Sequence, residues 1–136
     1  MRVSKRTARK EALSKGYRSN FELSFAKRLT ELKLKAQYES EKIYYVQPEK
    51  IRIYHPDWTI GKNVYIETKG RFTASDRQKI LYVMKSNLFC TIYLLFQNSK
   101  VTLSKVSKTT YGDWCTKNGV LWADIRDEKT WRKWFG

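Results

Sequence analysis

The chain has 136 residues, 41% of them hydrophobic, and its five Trp, nine Tyr and six Phe are enough to build the core of one domain. Its 28 Lys and Arg against 13 Asp and Glu give a formal charge of +15, which favours a polyanionic partner because each phosphate contact releases condensed counterions; nucleic acid leads and an anionic membrane surface comes second. No apolar run approaches the roughly 20 residues that span a bilayer, no leading stretch resembles a signal peptide, and two cysteines, Cys90 and Cys115, suit neither a disulfide framework nor a zinc site, so the expectation is a soluble protein with reduced thiols.

Residues 1–18 carry Arg2, Lys5, Arg6, Arg9, Lys10, Lys15 and Arg18 against the single acid Glu11, without a convincing helical stripe. They read as a flexible basic arm that grasps a polyanion, ahead of one folded domain over 19–136; an organelle transit peptide is the alternative. Ser19 and Glu22 form an S-x-x-E capping box, and Phe21, Phe25, Leu29 and Leu32 recur at helical spacing, which predicts a helix from about Asn20 to Lys35. Between Gln37 and Val46 the residues favour extended structure, Pro48 interrupts, and Ile51 and Ile53 alternate with polar neighbours: two strands around a proline-marked joint. "NVYIETK" (63–69) is a third strand, set off by a turn at Gly61-Lys62-Asn63.

Thr73 or Ser75 caps a second helix with Ile80, Leu81 and Met84 as its apolar face. "LFCTIYLLF" (88–96) reads as a central strand buried on both faces, with Cys90 inside it. A short strand near Val101 to Leu103 follows, then "YGDWCTKNG" and "DEKTWRKW" as short helices whose tryptophans pack on the sheet or stack on bases. The order predicts an α/β domain with a mixed sheet flanked by helices.

The chemistry-bearing stretch is "YHPDWTIGKNVYIETKG" (54–70). Along a strand Glu67 and Lys69 project to one face while Thr68 points away, and antiparallel pairing through the turn at Gly61 would bring Asp57 close to Glu67. Two neighbouring carboxylates repel, and a hard divalent cation such as Mg²⁺ compensates, since it takes oxygen ligands and substrate phosphate oxygens together. In a basic chain this suggests phosphodiester hydrolysis, with Asp57 and Glu67 as metal ligands and Lys69 orienting or deprotonating the attacking water. The products would be a 5′-phosphate and a 3′-hydroxyl. Yet acids and lysine are abundant, so D-x-E-x-K patterns arise by chance, and a Glu-x-Lys pair on a strand is commonly just solvated charge.

These blocks resemble the bacteriophage endonuclease I family, dimeric four-way-junction resolvases whose catalytic core is shared with many restriction enzymes. The resemblance spans about residues 17 to 125, through "YRSNFE", "YESEKIYYVQP", "YHPDW", "VYIETKG" and "TTYGDWCTKNGVLWAD". It implies a restriction-endonuclease-like fold and a strand-exchanged homodimer crossing near Tyr45 to Lys50. By the resemblance, Asp57, Glu67 and the Thr68 carbonyl are metal ligands for one or two Mg²⁺ per site, with Mn²⁺ able to substitute, Lys69 is the catalytic lysine, and Glu22 is a further catalytic acid. Glu22 also has a purely structural explanation as a capping residue.

The expected substrate is branched DNA, with Lys100, Lys105 and Lys108 lining its groove beside the basic arm. No small-molecule cofactor and no membrane enters this reading, and the setting it implies is the cytoplasm of a phage-infected host cell. A sequence-specific restriction or homing nuclease is the second enzymatic reading. A basic architectural or RNA-binding protein, which leaves the acids idle, is the third.

Overall fold

A computed structural model describes residues 5–48 and 50–136. The chain divides into two compact units, one ending at Lys35 and the other Ala36–Gly136.

In the first unit residues of the expected irregular arm are helical: α1 runs Lys5–Ser14. Ala, Leu, Lys, Arg and Glu are strong helix formers even without a clean apolar stripe, and Glu11 pairs with Lys15 one turn on, at 3.4 Å. The helix ends where Gly16 takes φ 89° and the N–H groups of Gly16 and Tyr17 return to the carbonyls of Leu13 and Ala12. This is a Schellman stop, and its left-handed residue is one that glycine adopts without penalty. Arg2 lies outside the described residues, as do the side chains of Lys5, Arg6 and Arg9.

The second helix, α2 (Asn20–Glu31), starts as expected, with the Ser19 hydroxyl accepting the Glu22 N–H at 3.1 Å. It stops four residues short of the expected Lys35. Lys33 turns left-handed at φ 57°, and the N–H groups of Lys33 and Leu34 bond back to Thr30 and Leu29. Here lysine occupies the position that glycine holds after α1, a stop that composition does not signal.

The second unit holds a five-stranded sheet in the order β1-β4-β5-β6-β7 and a separate ribbon, β2-β3. The strands are β1 Gln37–Tyr38, β2 Ile43–Gln47, β3 Lys50–Tyr54, β4 Trp58–Gly61, β5 Val64–Lys69, β6 Thr91–Phe96 and β7 Leu121–Asp124. Pairing is antiparallel from β1 to β5 and parallel from β5 to β7, which makes the sheet mixed. The stretch expected to cross between subunits turns back at Pro48 within the chain, so that Ile43 opposes Tyr54 and Gln47 opposes Lys50.

Three sequence expectations are corrected here. What read as one strand before the Gly61 turn is two, β3 and β4, because His55 and Pro56 separate them and Pro56 has no N–H for a ladder. The strand expected from Leu88 starts only at Thr91: Leu88 and Phe89 are 88% and 72% exposed, and Cys90 donates its N–H to the Asn87 carbonyl in a turn. Cys90 is therefore outside the core strand. Near Val101 to Leu103 a single bridge, Thr102 to Thr110, replaces the short strand, while the true last strand, β7, lies in "LWAD".

Helix α3 (Ala74–Ser86) carries the chain from β5 to β6, as parallel pairing requires. It buries Ile80 and Val83, whereas Leu81 is exposed. Helix α4 (Tyr111–Lys117) links β6 to β7, and α5 (Glu128–Arg132) closes the chain with one 3₁₀ turn. The core joins Phe72, Ile80, Val83, Leu94, Phe96, Tyr111 and Cys115. Trp114 meets Phe72 edge-on, Trp134 stacks on Tyr93 at 4.2 Å, and Trp131 is fully buried, so these tryptophans are packing residues. Both cysteines are free, and burial pushes the Cys115 thiol up to about 12. No described helix is long and apolar enough to cross a membrane.

Gly112 sits in the first turn of α4 under the Trp122 ring, and a Cβ there would meet that ring at 2.5 Å. Gly112→Ala is expected to cost about 1–3 kcal/mol through overpacking, despite alanine's better helix propensity. Chemical denaturation would read this directly, and an unchanged midpoint would show that Trp122 yields freely.

Candidate functional site

The site forms at the end of β5, between its antiparallel partner β4 and its parallel partner β6. Trp58 opposes Ile66, so the residue before β4, Asp57, comes opposite the residue after Ile66, which is Glu67. The Asp57 N–H donates to Glu67 Oε1 at 3.2 Å. Thr68 then fixes the Asp57 carboxylate: its N–H and its hydroxyl both donate to Asp57 Oδ2, at 3.0 and 2.8 Å. Asp57 is 4% exposed and Pro56 beside it is buried. Proline is suited here because it adds no backbone donor to an enclosed site.

The expected juxtaposition of Asp57, Glu67 and Lys69 is thus present within the second unit. Lys69 Nζ lies 3.9 Å from Glu67 Oε2, on the face where alternation places both. Glu67 lines a small cleft together with Tyr54, Phe72, Ile80, Leu94, Lys69, Asp76 and Lys79. Burial, and then the negative charge of Asp57, push the Glu67 carboxyl up to about 8, against the opposing pull of Lys69. The neighbouring Tyr54 phenol is held protonated by its own burial and then by the charges of Glu67 and Asp57.

Sequence reasoning missed Asp76, Tyr54 and Lys79. Asp76 Oδ1 lies 3.2 Å from Lys69 Nζ, nearer than Glu67. A T-x-x-D capping pattern at Thr73 would have found Asp76 as a cap, but nothing local in the sequence connects it with Lys69. The other expected residues belong to other elements. Glu22 is on α2 in the first unit, where its Oε1 accepts the Ser19 hydroxyl at 3.1 Å. Lys10, Lys15 and Arg18 are exposed in that unit, and Lys100, Lys105 and Lys108 are exposed between β6 and α4.

The donor set fits a hard divalent cation. Burial, and then the neighbouring Asp57 charge, hold the Glu67 carboxyl up; a dication would relieve that repulsion, and both carboxylates offer oxygen ligands. With a divalent cation bound, such a sheet end, with an ammonium beside the carboxylates, would have the parts that phosphate-ester hydrolysis needs.

The family model for phage endonuclease I matches residues 3–133. Endodeoxyribonuclease 1 of Enterobacteria phage T3 is 38% identical over 110 residues, 81% of this chain and 72% of that protein. Endonuclease I of Escherichia phage T7 is 33% identical over 117 residues, 86% of this chain and 78% of that protein. The chain belongs to the phage endonuclease I family.

Proposed function

We propose that this chain is a Mg²⁺-dependent DNA endonuclease that resolves four-way and other branched junctions by paired cuts, leaving 5′-phosphate and 3′-hydroxyl ends. The observation that carries the reading is the Asp57-Glu67-Lys69 cluster at the end of β5, in a family whose T3 and T7 relatives are named as endonucleases. Asp57, Glu67 and the Thr68 carbonyl would hold one or two Mg²⁺, or Mn²⁺ in its place. When bound, the ion supplies neutralising charge at the scissile phosphate and acidity to a water ligand. Thr68 keeps the Asp57 carboxylate in one orientation through two hydrogen bonds. Lys69 orients the attacking water and places positive charge where the phosphorane charge develops.

The proposed active form is a strand-exchanged homodimer with a core of the restriction-enzyme kind, in which Glu22 from one subunit joins Asp57, Glu67 and Lys69 of the other. In such an exchange the β2-β3 register is kept and merely passes between chains. Two linked sites suit a junction that needs two symmetric cuts. Light scattering should then give twice the 16.3 kDa of one chain; a monomer at all working concentrations would remove the dimer from the reading.

Selectivity would come from matching a bent junction to basic surfaces, including the α1 region and the Lys100, Lys105 and Lys108 segment, with little base readout. Binding should weaken steeply with salt, by about 10³-fold or more between 50 and 200 mM if six or more phosphates are contacted. The host cytoplasm during phage infection is the setting that this substrate and the phage relatives suggest. The deciding experiment is cleavage of a labelled four-way junction and its matched linear duplex in Mg²⁺. Paired cuts near the branch point support the reading; equal cutting of the duplex at one sequence favours a restriction-type enzyme, and tight binding without cutting in Mg²⁺ or Mn²⁺ leaves a binding protein.

A further inference from the structure

We propose that Asp76, the first-turn carboxylate of α3, is the positioning residue for Lys69, an inference that rests on reading Lys69 as part of the reaction centre. Its two oxygens are divided between two tasks. Oδ2 accepts the Thr73 N–H at 2.9 Å while Thr73 Oγ1 accepts the Asp76 N–H at 3.2 Å, which closes the capping box. Oδ1 faces Lys69 Nζ at 3.2 Å.

The box itself cannot drift. Phe72, just before the cap, is 1% exposed and wedged edge-on against Phe96, Tyr111 and Trp114, and its carbonyl accepts Arg77 Nη1 at 2.7 Å. Asp76 is thereby a fixed point, tied to the core at one residue and to the helix at another. Lys69, by contrast, ends a flexible four-carbon stem whose other carboxylate, Glu67 Oε2, is 3.9 Å away, at the limit of an ion pair. The Asp76 carboxyl is held below its ordinary value: burial raises it, and the Thr73 N–H and the Lys69 ammonium outweigh burial. Asp76 thus remains an anion beside Lys69. The capping carboxylate of α3 selects one direction for the ammonium, between its own Oδ1 and Glu67 Oε2.

Asp76→Asn tests this because the amide oxygen still caps Thr73 while the charge that holds Lys69 is gone. Single-turnover cleavage of the four-way junction should fall by roughly 10–100-fold, since displacement of a catalytic group by about 1 Å costs on that order. Junction affinity and melting temperature should stay near wild type, and Asp76→Glu should recover part of the rate. In a Lys69→Ala background Asp76→Asn should change the residual rate by less than about twofold, because the two act as one unit. A rate within about threefold of wild type, or penalties that multiply in the double variant, would overturn the proposal.

An activity-independent readout accompanies it. The Lys69 ammonium should give a slowly exchanging ¹H–¹⁵N resonance in the wild type, assigned by its loss in Lys69→Ala, and that resonance should broaden away in Asp76→Asn. Should Asp76→Asn fail to fold, the wild-type resonance still decides: a rapidly exchanging, undetectable ammonium overturns the anchor. Should the wild type cleave no DNA, the endonuclease reading falls while the resonance tests the anchor separately.

Discussion

Replacing Asp57 by Ala or Asn is expected to abolish junction cleavage in Mg²⁺ and to leave junction binding unchanged or tighter. A metal's contribution to charge stabilisation is worth several kcal/mol, so loss of a principal ligand should lower the single-turnover rate by about 10³-fold or more. Binding should not suffer under this reading, because the substitution removes a negative charge that would face the phosphate backbone. The two substitutions separate chemistry from folding. Asp57→Ala leaves the buried Thr68 N–H and hydroxyl without the oxygen they share, which costs about 1–3 kcal/mol, although relief of the repulsion with Glu67 offsets part of it. Asp57→Asn retains an acceptor for Thr68 and should melt close to wild type. Persistent cleavage in a folded Asp57→Asn protein would remove Asp57 from the site. Loss of binding in step with loss of cutting would assign it to DNA recognition instead.

The second large effect is a dependence of stability on pH that metal should reverse. Without a metal, burial and then the Asp57 charge push the Glu67 carboxyl of the folded chain up to about 8, from an ordinary value of 4.5. The folded state therefore holds a proton that the unfolded state has released throughout that interval. Its contribution is fully present below pH 4.5 and is lost as pH rises through 8. The slope of about 1.4 kcal/mol per pH unit, acting over most of this window, amounts to a few kcal/mol. Asp76 and Asp124 act in the opposite sense: their carboxyls are held below the ordinary range, and the stability they contribute is lost only at acid pH.

Melting in EDTA should accordingly fall by several degrees between pH 5.5 and 8.5 in the wild type. In Glu67→Gln it should stay nearly flat, with the variant the more stable at pH 8.5. Mg²⁺ added at pH 8.5 should restore the wild type by binding the folded state, and should do little for Glu67→Gln. A wild-type melting temperature that rises with pH in chelator would mean that burial and the Asp57 charge do not hold the Glu67 carboxyl up.

How much of this was legible beforehand differs from element to element. The chemistry-bearing residues were readable because they are local: alternation alone puts Glu67 and Lys69 on one face, and a tight turn at Gly61 implies that Asp57 returns beside Glu67. Caps were readable for the same reason. Ser19 and Thr73 start α2 and α3 where short-range hydrogen-bonding patterns placed them.

Errors arose where the deciding interaction is not local. Leu88 and Phe89 are as apolar as any strand residue, yet the Asn87 side chain bonds the Val83 carbonyl in α3 and the Tyr44 carbonyl in β2, so the chain is still turning there and β6 begins three residues later. β7 is short, and it is a strand because Leu121 to Asp124 find the free edge of β6. α1 escaped notice because its residues favour a helix through propensity and a glycine stop more than through an apolar stripe.

By itself, then, the sequence determined the charge that favours a polyanion, the α/β class, and the Asp57-Glu67-Lys69 pattern, all of which depend on composition or on neighbours along the chain. Tertiary structure alone decided which edge each strand occupies, how Thr68 grips Asp57, and that a helix cap brings Asp76 to Lys69. Those are contacts between segments whose meeting depends on the packed core, and no periodicity in a single segment can encode them.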